Sequence, residues 1–428
     1  MPKISIIGAG SVVFARRLLQ DIVCVPELDD STVSLMDTDP GRLELIGEFV
    51  KKLVRDTENS IKIETTVNRR EALADSNYVV TTIRVGDSYE RDIGIPLKYG
   101  VDQSVGDTVG PGGVFKALRT VPVLMDICVD IEDVAPDATL LNYTNPMAIA
   151  CWVIADATDV RTLGLCHSVQ HTTAALADYI GAPRDSVNGW VAGINHLAWF
   201  LRFERDGEDA YPELFEAMDN PEIYTRDTVR FEIMRQFGYF VTESTRHMSE
   251  YTPYFRTNTD VIEEFSLNQI RQDLQRRGTR ADDHYAQLLK DTNSDKRLTA
   301  ERSEEYASRI IEAMETGRPT VVNANVQNVG LIDNLLEFSC VEVPILIDKL
   351  GFHPMAVGEL PGQLAALSRS NQAVQQLAVQ AIIDGNREAA FHAIALDPLT
   401  SAVLSLAEIR EMFDEMWIAH GTELAGYC

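Results

Sequence analysis

Short apolar runs and longer segments with helical spacing alternate along the first part of the chain. The run KISII has the continuous apolar character of a strand buried in a parallel sheet, and it leads into Gly8 and Gly10. VVFARRLLQDIV follows with helical spacing, and TVSLMD predicts a second strand that ends at Asp37. This strand–helix–strand order predicts an α/β protein built on a Rossmann-type doubly wound parallel sheet.

The turn after the first strand has the features of a dinucleotide-binding loop. Gly8 and Gly10 allow a tight turn and close approach of the backbone, so a pyrophosphate can lie at the helix N-terminus beside Ser11. Asp37 can accept hydrogen bonds from a ribose diol and repels a 2′-phosphate, which favours NAD over NADP. Val13 stands where a third glycine or alanine is usual. The predicted cofactor-binding residues are therefore Gly8, Gly10, Ser11 and Asp37.

Three further apolar runs predict that the sheet continues. They lie in SNYVVTTIRVG, PDATLLNYTNPM and VRTLGLC, and ligands of open α/β sheets bind at the carboxyl ends of such strands. Between the first two lies GDTVGPGG, a glycine-rich loop that carries Asp107 and leads into a helix from about Val114. After the third, Ser168 is predicted to cap the helix VQHTTAALADYI, and Gly181 is predicted to end it.

Cys166 and His196 are candidate metal ligands. Cys166 follows a strand and faces a helix N-terminus, a position that lowers the pKa of a thiol. VAGINHLAWF predicts an apolar strand interrupted by Asn195 and His196, and a buried histidine is costly unless its ring nitrogens are bonded. A thiolate and an imidazole together suit a divalent transition metal. The alternative for His196 is a core histidine bonded to the backbone.

The segment GYFVTESTRHMSEYTPYF mixes acids, a histidine and tyrosines in the way typical of carbohydrate-facing surfaces, and a capped helix end is the alternative. Downstream, NVQNVGLIDNLLEFSCVEVPILID predicts strands and turns, and residues 360–398 have the long helical spacing of a scaffold. The second half is therefore predicted to be an α+β lobe.

Composition excludes several classes of protein. A net charge of −27 argues against a nucleic-acid partner, because no basic patch offsets the repulsion of phosphates. No segment approaches the roughly 20 apolar residues that span a bilayer, so we expect a soluble cytoplasmic protein with no membrane partner. The six cysteines show no CxxC spacing, which argues against a disulfide scaffold or a zinc ribbon.

Eight ordered motifs carry a resemblance to a known family. They are GAGS, MDxDPxR, DTxGPGG, NYTNPM, GLCHSVQ, AGINH, ESTRHMSEYTP and GLIDNL. The set resembles glycoside hydrolase family 4, most closely its α-galactosidase branch, and spans essentially the whole chain. The resemblance implies a lactate/malate dehydrogenase-like first domain (1–165) that binds NAD. It also implies a C-terminal catalytic lobe (166–428) that binds metal and substrate, and a homodimer or homotetramer.

The resemblance also implies a redox-neutral cleavage of a small-molecule α-glycoside. NAD takes a hydride from C3 of the sugar, a base then removes the acidified C2 proton, the C1 substituent leaves, water adds, and the hydride returns. Cys166 and His196 match the family's ligands for manganese, or another divalent metal. Tyr251 matches the base, with Tyr254 as the alternative, and Asp107 matches the acid that raises the basicity of the tyrosine.

Two further positions bear on the substrate. Asn145 matches a substrate-binding asparagine. His167 occupies the position where phospho-sugar members keep an acid, which argues against a 6-phospho substrate and leaves His167 as the candidate general acid.

Other functions stay open at this point. α-Glucosides or α-uronides are alternative substrates within the family. An NAD-dependent hydroxyacid or sugar dehydrogenase would accumulate NADH, whereas the glycosidase would not. An NAD-sensing protein without turnover is the third class.

Overall fold

The protein is described here by a computed structural model of residues 1–86, 89–268 and 283–428, without the side chains of residues 12 and 13. The prediction about Val13 lies outside this description. Within it, the strands are β1 (Lys3–Ile7), β2 (Thr32–Met36), β3 (Lys62–Thr66), β4 (Tyr78–Thr81), β5 (Thr139–Asn142), β6 (Arg161–Gly164), β7 (Val187–Ile194), β8 (Leu197–Arg205), β9 (Glu208–Asp209), β10 (Thr320–Gln327), β11 (Cys340–Asp348) and β12 (Gly351–Pro354).

Helices cover much of the remaining described chain, and residues 283–292 are also helical. The labelled helices are α1 (Val12–Val23), α2 (Pro40–Asp56), α3 (Arg69–Leu73), α4 (Ile95–Lys98), α5 (Gly110–Val134), α6 (Met147–Ala157), α7 (Ser168–Tyr179), α8 (Tyr211–Met218), α9 (Pro221–Tyr224), α10 (Thr228–Phe237), α11 (Thr245–Met248), α12 (Thr259–Glu264), α13 (Tyr306–Thr316), α14 (Gly362–Asp384), α15 (Arg387–Ala395), α16 (Pro398–Val403) and α17 (Leu406–His420). Among them, none combines the length and apolar character that crossing a bilayer requires.

The first half of the sheet is parallel, in the order β3-β2-β1-β4-β5-β6. This is the strand order of the dinucleotide-binding Rossmann fold, so the predicted fold class is confirmed. The apolar run of β1 is continuous because it is buried on both faces: Ile4 and Ile6 belong to the same core cluster as Leu18 of α1, whereas Ile7 packs in the cluster of Phe115 from α5.

The second half of the sheet is antiparallel and continues from β6 through β10, β11, β7, β8 and β9. The prediction of one strand interrupted at Asn195 and His196 is wrong. The two residues form the turn of a tight hairpin, in which Ile194 at the end of β7 pairs with Leu197 at the start of β8. The polar residues therefore mark a reversal of the chain.

Two helix boundaries also differ from prediction. The first turn of α5 begins at Gly110, four residues before the predicted start near Val114. Ser168 is the first helical residue of α7, and His167 holds the N-cap position without a side-chain cap bond. The end of α7 is as predicted, because Gly181 adopts a left-handed φ of 65° there.

Residues 360–398 are largely helical, as predicted, and the C-terminal helices pack on the dinucleotide half, which was not predicted. Phe391 of α15 and Phe413 of α17 share a core cluster with Phe115 of α5 and Trp152 of α6. Because the sheet and this core both continue across residue 165, the predicted domain boundary there stays a prediction. All six cysteines are free thiols.

Candidate active site

The loop between β1 and α1 is a tight backbone cradle. Gly8 has a φ of 90°, and a Cβ there would lie 2.6 Å from the carbonyl oxygen of Thr82. A Cβ on Gly10 would lie 2.7 Å from Oδ2 of Asp37. Only glycine fits at both positions, so the backbone is open to a ligand at the N-terminus of α1. This geometry fits a dinucleotide pyrophosphate.

Asp37 holds the edge of this cradle. Its Oδ2 accepts a hydrogen bond of 2.7 Å from the backbone N–H of Gly10, and its Oδ1 accepts one of 2.9 Å from Asp39. Ser11 is the N-cap residue of α1, and its hydroxyl makes no capping bond within the described chain. The structure thus brings together all four predicted cofactor residues, and their role stays a prediction.

Cys166, His196 and Glu243 form a metal-ligating group. Their ligand atoms lie within 4.8 Å of one another. Sulfur, imidazole nitrogen and carboxylate oxygen together suit zinc, manganese or a similar divalent cation. The sequence predicted the first two residues and missed Glu243 as a partner.

The backbone at two of these ligands is strained. His196 has a φ of 62° in the β7–β8 turn, and Glu243 has a φ of 77° shortly before α11. Left-handed conformations are uncommon for residues other than glycine, and they persist where the surrounding structure requires them. The fold therefore aims both side chains into the site at a conformational cost.

The three groups also perturb one another's charge. Burial lowers the pKa of His196, but Glu243 and Cys166 outweigh it and raise the value to about 10. Burial raises the pKa of Cys166, but His196 outweighs it and holds the thiol below its ordinary pKa. The pKa of the Cys166 thiol is therefore lowered, as predicted, and the main cause of the lowering is the charged imidazole of His196.

Tyr251 lies beside this group with its hydroxyl unpaired. The side chain is 1% exposed, and Oη has no hydrogen-bond partner among the described residues. Its ring meets those of His196 and His247 edge-on, with centroids 6.3 and 5.2 Å away. Burial is the main reason that the pKa of Tyr251 lies well above its ordinary value. Tyr254, the alternative base, is 48% exposed and packs against Phe237.

Asp107 faces the same cavity from the loop before α5. Oδ1 accepts a bond of 2.9 Å from the Thr108 hydroxyl, and Oδ2 lies 3.5 Å from Nζ of Lys116. Burial raises the pKa of Asp107, but Lys116 and His247 together hold it well below the ordinary range.

His247 and Glu250 support the site, and the sequence did not assign them this role. Nε2 of His247 lies 2.9 Å from Nδ1 of His196. Glu250 accepts bonds of 2.7 and 2.8 Å from the backbone N–H groups of Ser104 and Val105, which fixes the loop before Asp107. Helical spacing could not have found them together, because α11 covers only Thr245–Met248 and Glu250 lies beyond its end.

A cavity of about 400 Å³ is lined by Asp107, His247 and the three residues of the metal-ligating group. Its lining includes Asn145 and His167, as predicted, and also His171, Thr172 and Arg230, which were not. Such a volume suits a small organic ligand.

Two pairs hold His167 and Arg230 of the cavity in place. His167 pairs through Nε2 with the buried carboxylate of Glu305, and its ring stacks on His171 at 5.6 Å. Arg230 forms a two-pronged ion pair with Asp227 and donates a bond of 2.9 Å to the hydroxyl of Thr172.

A Rossmann half whose strand ends open on a metal-ligating cavity defines an enzyme fold that combines a dinucleotide with a metal ion. The family follows from the sequence profiles. "Family 4 glycosyl hydrolase" matches residues 3–182, and "Family 4 glycosyl hydrolase C-terminal domain" matches residues 191–400. The chain belongs to glycosyl hydrolase family 4.

Individual relatives agree with the family. An α-galactosidase of Bacillus subtilis (strain 168) is 42% identical over 434 residues, covering 100% of both chains. An α-galactosidase of Rhizobium meliloti (strain 1021) is 37% identical, covering 99% of this chain and 89% of the relative. A 6-phospho-α-glucosidase from gut microorganisms, solved in complex with NAD and Mn²⁺, has the same fold, with a TM-score of 0.83 at 23% identity over 99% of this chain and 98% of the other.

Proposed function

We propose that this protein is an α-galactosidase that hydrolyses small α-galactosides of the melibiose type with NAD and a divalent metal. One observation carries the proposal: the unpaired hydroxyl of buried Tyr251 lies beside the Cys166–His196–Glu243 group. The two α-galactosidase relatives support the substrate, and the NAD- and Mn²⁺-bound family neighbour supports the cofactors.

The residues divide into two binding sets. Gly8, Gly10, Ser11 and Asp37 would hold NAD, and Cys166, His196 and Glu243 would hold the metal. NAD supplies reversible hydride transfer at C3 of the sugar, and the metal supplies charge stabilisation for the oxygens on C2 and C3.

Tyr251 removes the C2 proton as a phenolate. Burial raises the pKa of Tyr251 most, and Glu243 and Asp107 raise it further, so a phenolate formed here is a strong base. A divalent cation held by Cys166, His196 and Glu243 would favour that phenolate, because a nearby positive charge lowers the pKa of a phenol. Asn145 binds a sugar hydroxyl from the end of β5, because amides both donate and accept.

His167 protonates the departing oxygen. Glu305 fixes the imidazole by binding Nε2, which leaves Nδ1 as the nitrogen that can face the aglycone. A neutral sugar fits this arrangement, since the Arg230 charge is already balanced by Asp227.

The surroundings of the enzyme complete the proposal. It acts on a small-molecule glycoside in the cytoplasm as a homodimer or homotetramer, with no nucleic-acid or membrane partner. A reducing compartment suits this role, because it keeps Cys166 available as a metal ligand.

A panel of nitrophenyl α- and β-glycosides tests the function. With NAD, Mn²⁺ and a thiol reductant, we expect hydrolysis of the α-galactoside, deuterium at C2 of the galactose formed in D₂O, and no accumulation of NADH. Hydrolysis that survives removal of both NAD and metal, or product without label, would exclude the oxidation–elimination route. Accumulating NADH would identify a dehydrogenase, and preference for a glucoside or uronide would change the assigned sugar.

A further inference from the structure

A row of residues crosses four strands directly beneath the metal-ligating group. Gly164 of β6 pairs with Asn325 of β10, Asn325 pairs with Glu342 of β11, and Glu342 pairs with Gly193 of β7. Directly opposed residues point to the same face of a sheet. Because glycines form both ends, Asn325 and Glu342 are the only side chains in this part of the row.

Glu342 is a buried carboxyl without hydrogen-bond partners. The residue is 0% exposed, and neither carboxyl oxygen has a partner among the described residues. The amide of Asn195, beside the ligand His196, is also buried with both polar atoms unpaired there, as is Oδ1 of Asn325. Unpaired polar atoms are rare in protein interiors, and a cluster of them marks a place for ordered water or for a functional demand.

Glu342 lies close to the metal-ligating group and to Asn195. Burial is the main cause that raises the pKa of Glu342 well above its ordinary value; Cys166 and Glu243 raise it further, and His196 and Asn195 lower it. A carboxyl group offers two oxygen atoms that can bond an amide or ordered water. An apolar side chain of the same size would fill this position at lower cost, so stability does not explain the carboxyl.

We propose that Glu342 is a positioning residue for the metal site: through ordered water, its buried carboxyl holds Asn195 and thereby the His196 turn in the geometry that binds the metal. The inference rests on the metal of the proposed function. Groups that orient metal ligands typically change metal affinity by about 10–100-fold when they are removed.

The test compares Glu342→Leu with Glu342→Gln in the full-length protein. Mn²⁺ affinity is measured by calorimetric titration without NAD or substrate, and the melting temperature is measured without metal. We expect Glu342→Leu to bind Mn²⁺ about 10–100-fold more weakly, and its melting temperature shows that the variant is folded. Glu342→Gln, which is neutral and polar, should keep the affinity within about threefold of wild type.

Asn323→Ala is the matched control. Asn323 lies two residues from Asn325 on β10 and is bonded to the backbone of Val191 at 2.9 Å, so its loss should lower the melting temperature without changing Mn²⁺ affinity. Wild-type affinity in Glu342→Leu, or a loss in Glu342→Gln as large as in Glu342→Leu, would overturn the inference. A wild-type protein that binds no divalent metal would overturn the metal proposal itself, and the inference with it.

Discussion

The dinucleotide cradle and the metal-ligating group both contain left-handed backbone conformations, but they place different kinds of residue there. Both need left-handed turns, but the cradle uses Gly8, whereas the metal side uses His196 and Glu243. In the cradle the backbone would contact the proposed cofactor, and a side chain at Gly8 would clash with Thr82. On the metal side the side chain itself is the proposed ligand, and the fold accepts about 1–3 kcal/mol of strain at each such residue.

The two regions also differ in how their charges are held. Asp37 is fixed by backbone N–H groups of its own and the neighbouring turn. Glu243 is half-buried, and its pKa, which burial raises, is held below the ordinary value mainly by His196 and His247. The cradle can therefore form from local segments, while the metal side needs several distant segments to be in place at once.

Loss of the metal ligand should have the largest effect. Cys166→Ser replaces a soft thiolate by a hydroxyl, and because a metal contributes several kcal/mol to the transition state we expect kcat to fall by about four orders of magnitude. Cys24→Ser is the matched control, since Cys24 is also half-buried but lies at the end of α1. Hydrolysis assays with added Mn²⁺ make the comparison. Equal activity of both variants would remove Cys166 from the metal site.

Tyr251→Phe should follow, with a loss of about three orders of magnitude in kcat, which is the scale of general-base catalysis. The variant removes an unpaired hydroxyl and should leave the melting temperature unchanged or higher. Tyr254→Phe changes an exposed phenol and should retain wild-type activity. Loss of deuterium incorporation at C2 in Tyr251→Phe alone would identify Tyr251 as the base. Loss in Tyr254→Phe alone would assign that role to Tyr254.

The cradle was predictable from sequence because its parts are close along the chain. Gly8 follows β1 directly, and the predicted helix coincides with α1 from Val12 to Val23. Strand β1 is buried on both faces and is therefore apolar throughout, and the turn that follows it requires glycine. Both features can be seen in the local sequence, so they predict the fold correctly.

The metal side was predictable only in part. Cys166 and His196 could be named, but the tight turn at Asn195 and His196 was taken for an interruption in one strand. Apolar runs on both sides of that turn are long enough to hide a hairpin, and neither residue is a glycine that would signal it. Glu243 was missed as a ligand because its contact with His196 joins segments 47 residues apart, which no local pattern encodes.

Asp37→Asn should weaken NAD binding by about 10–100-fold, because hydrogen bonds to a charged group contribute more than those to a neutral one. Asparagine keeps an acceptor for the backbone N–H of Gly10, so the loop itself should remain intact. The same variant should discriminate less against NADP. Asp39→Asn is the control, since asparagine preserves its cap on α2. Fluorescence titrations with both cofactors measure the effect, and equal losses in the two variants would contradict a specific role for Asp37.

Asp397 lies in neither region and shows what burial does to a carboxylate that lacks a nearby histidine or lysine partner. It is fully buried at the N-terminus of α16, where Oδ2 accepts bonds of 2.8 and 2.7 Å from the N–H and hydroxyl of Thr400. Burial raises the pKa of Asp397 to about 6 despite these bonds. The folded state therefore binds a proton more tightly than the unfolded state, and stability falls as the pH rises from about 4 to about 6.

Asp397→Asn should remove this dependence. Asparagine keeps the acceptor for Thr400 and cannot ionise, so the variant should be more stable than wild type by about 3 kcal/mol at pH 8 and by about half as much at pH 5. Urea unfolding at the two pH values measures the difference. A difference in the free energy of unfolding that is the same at both pH values would mean that Asp397 remains ionised when buried. The lack of a histidine or lysine partner would then not explain why the pKa of Asp397 differs from those of the carboxylates on the metal side.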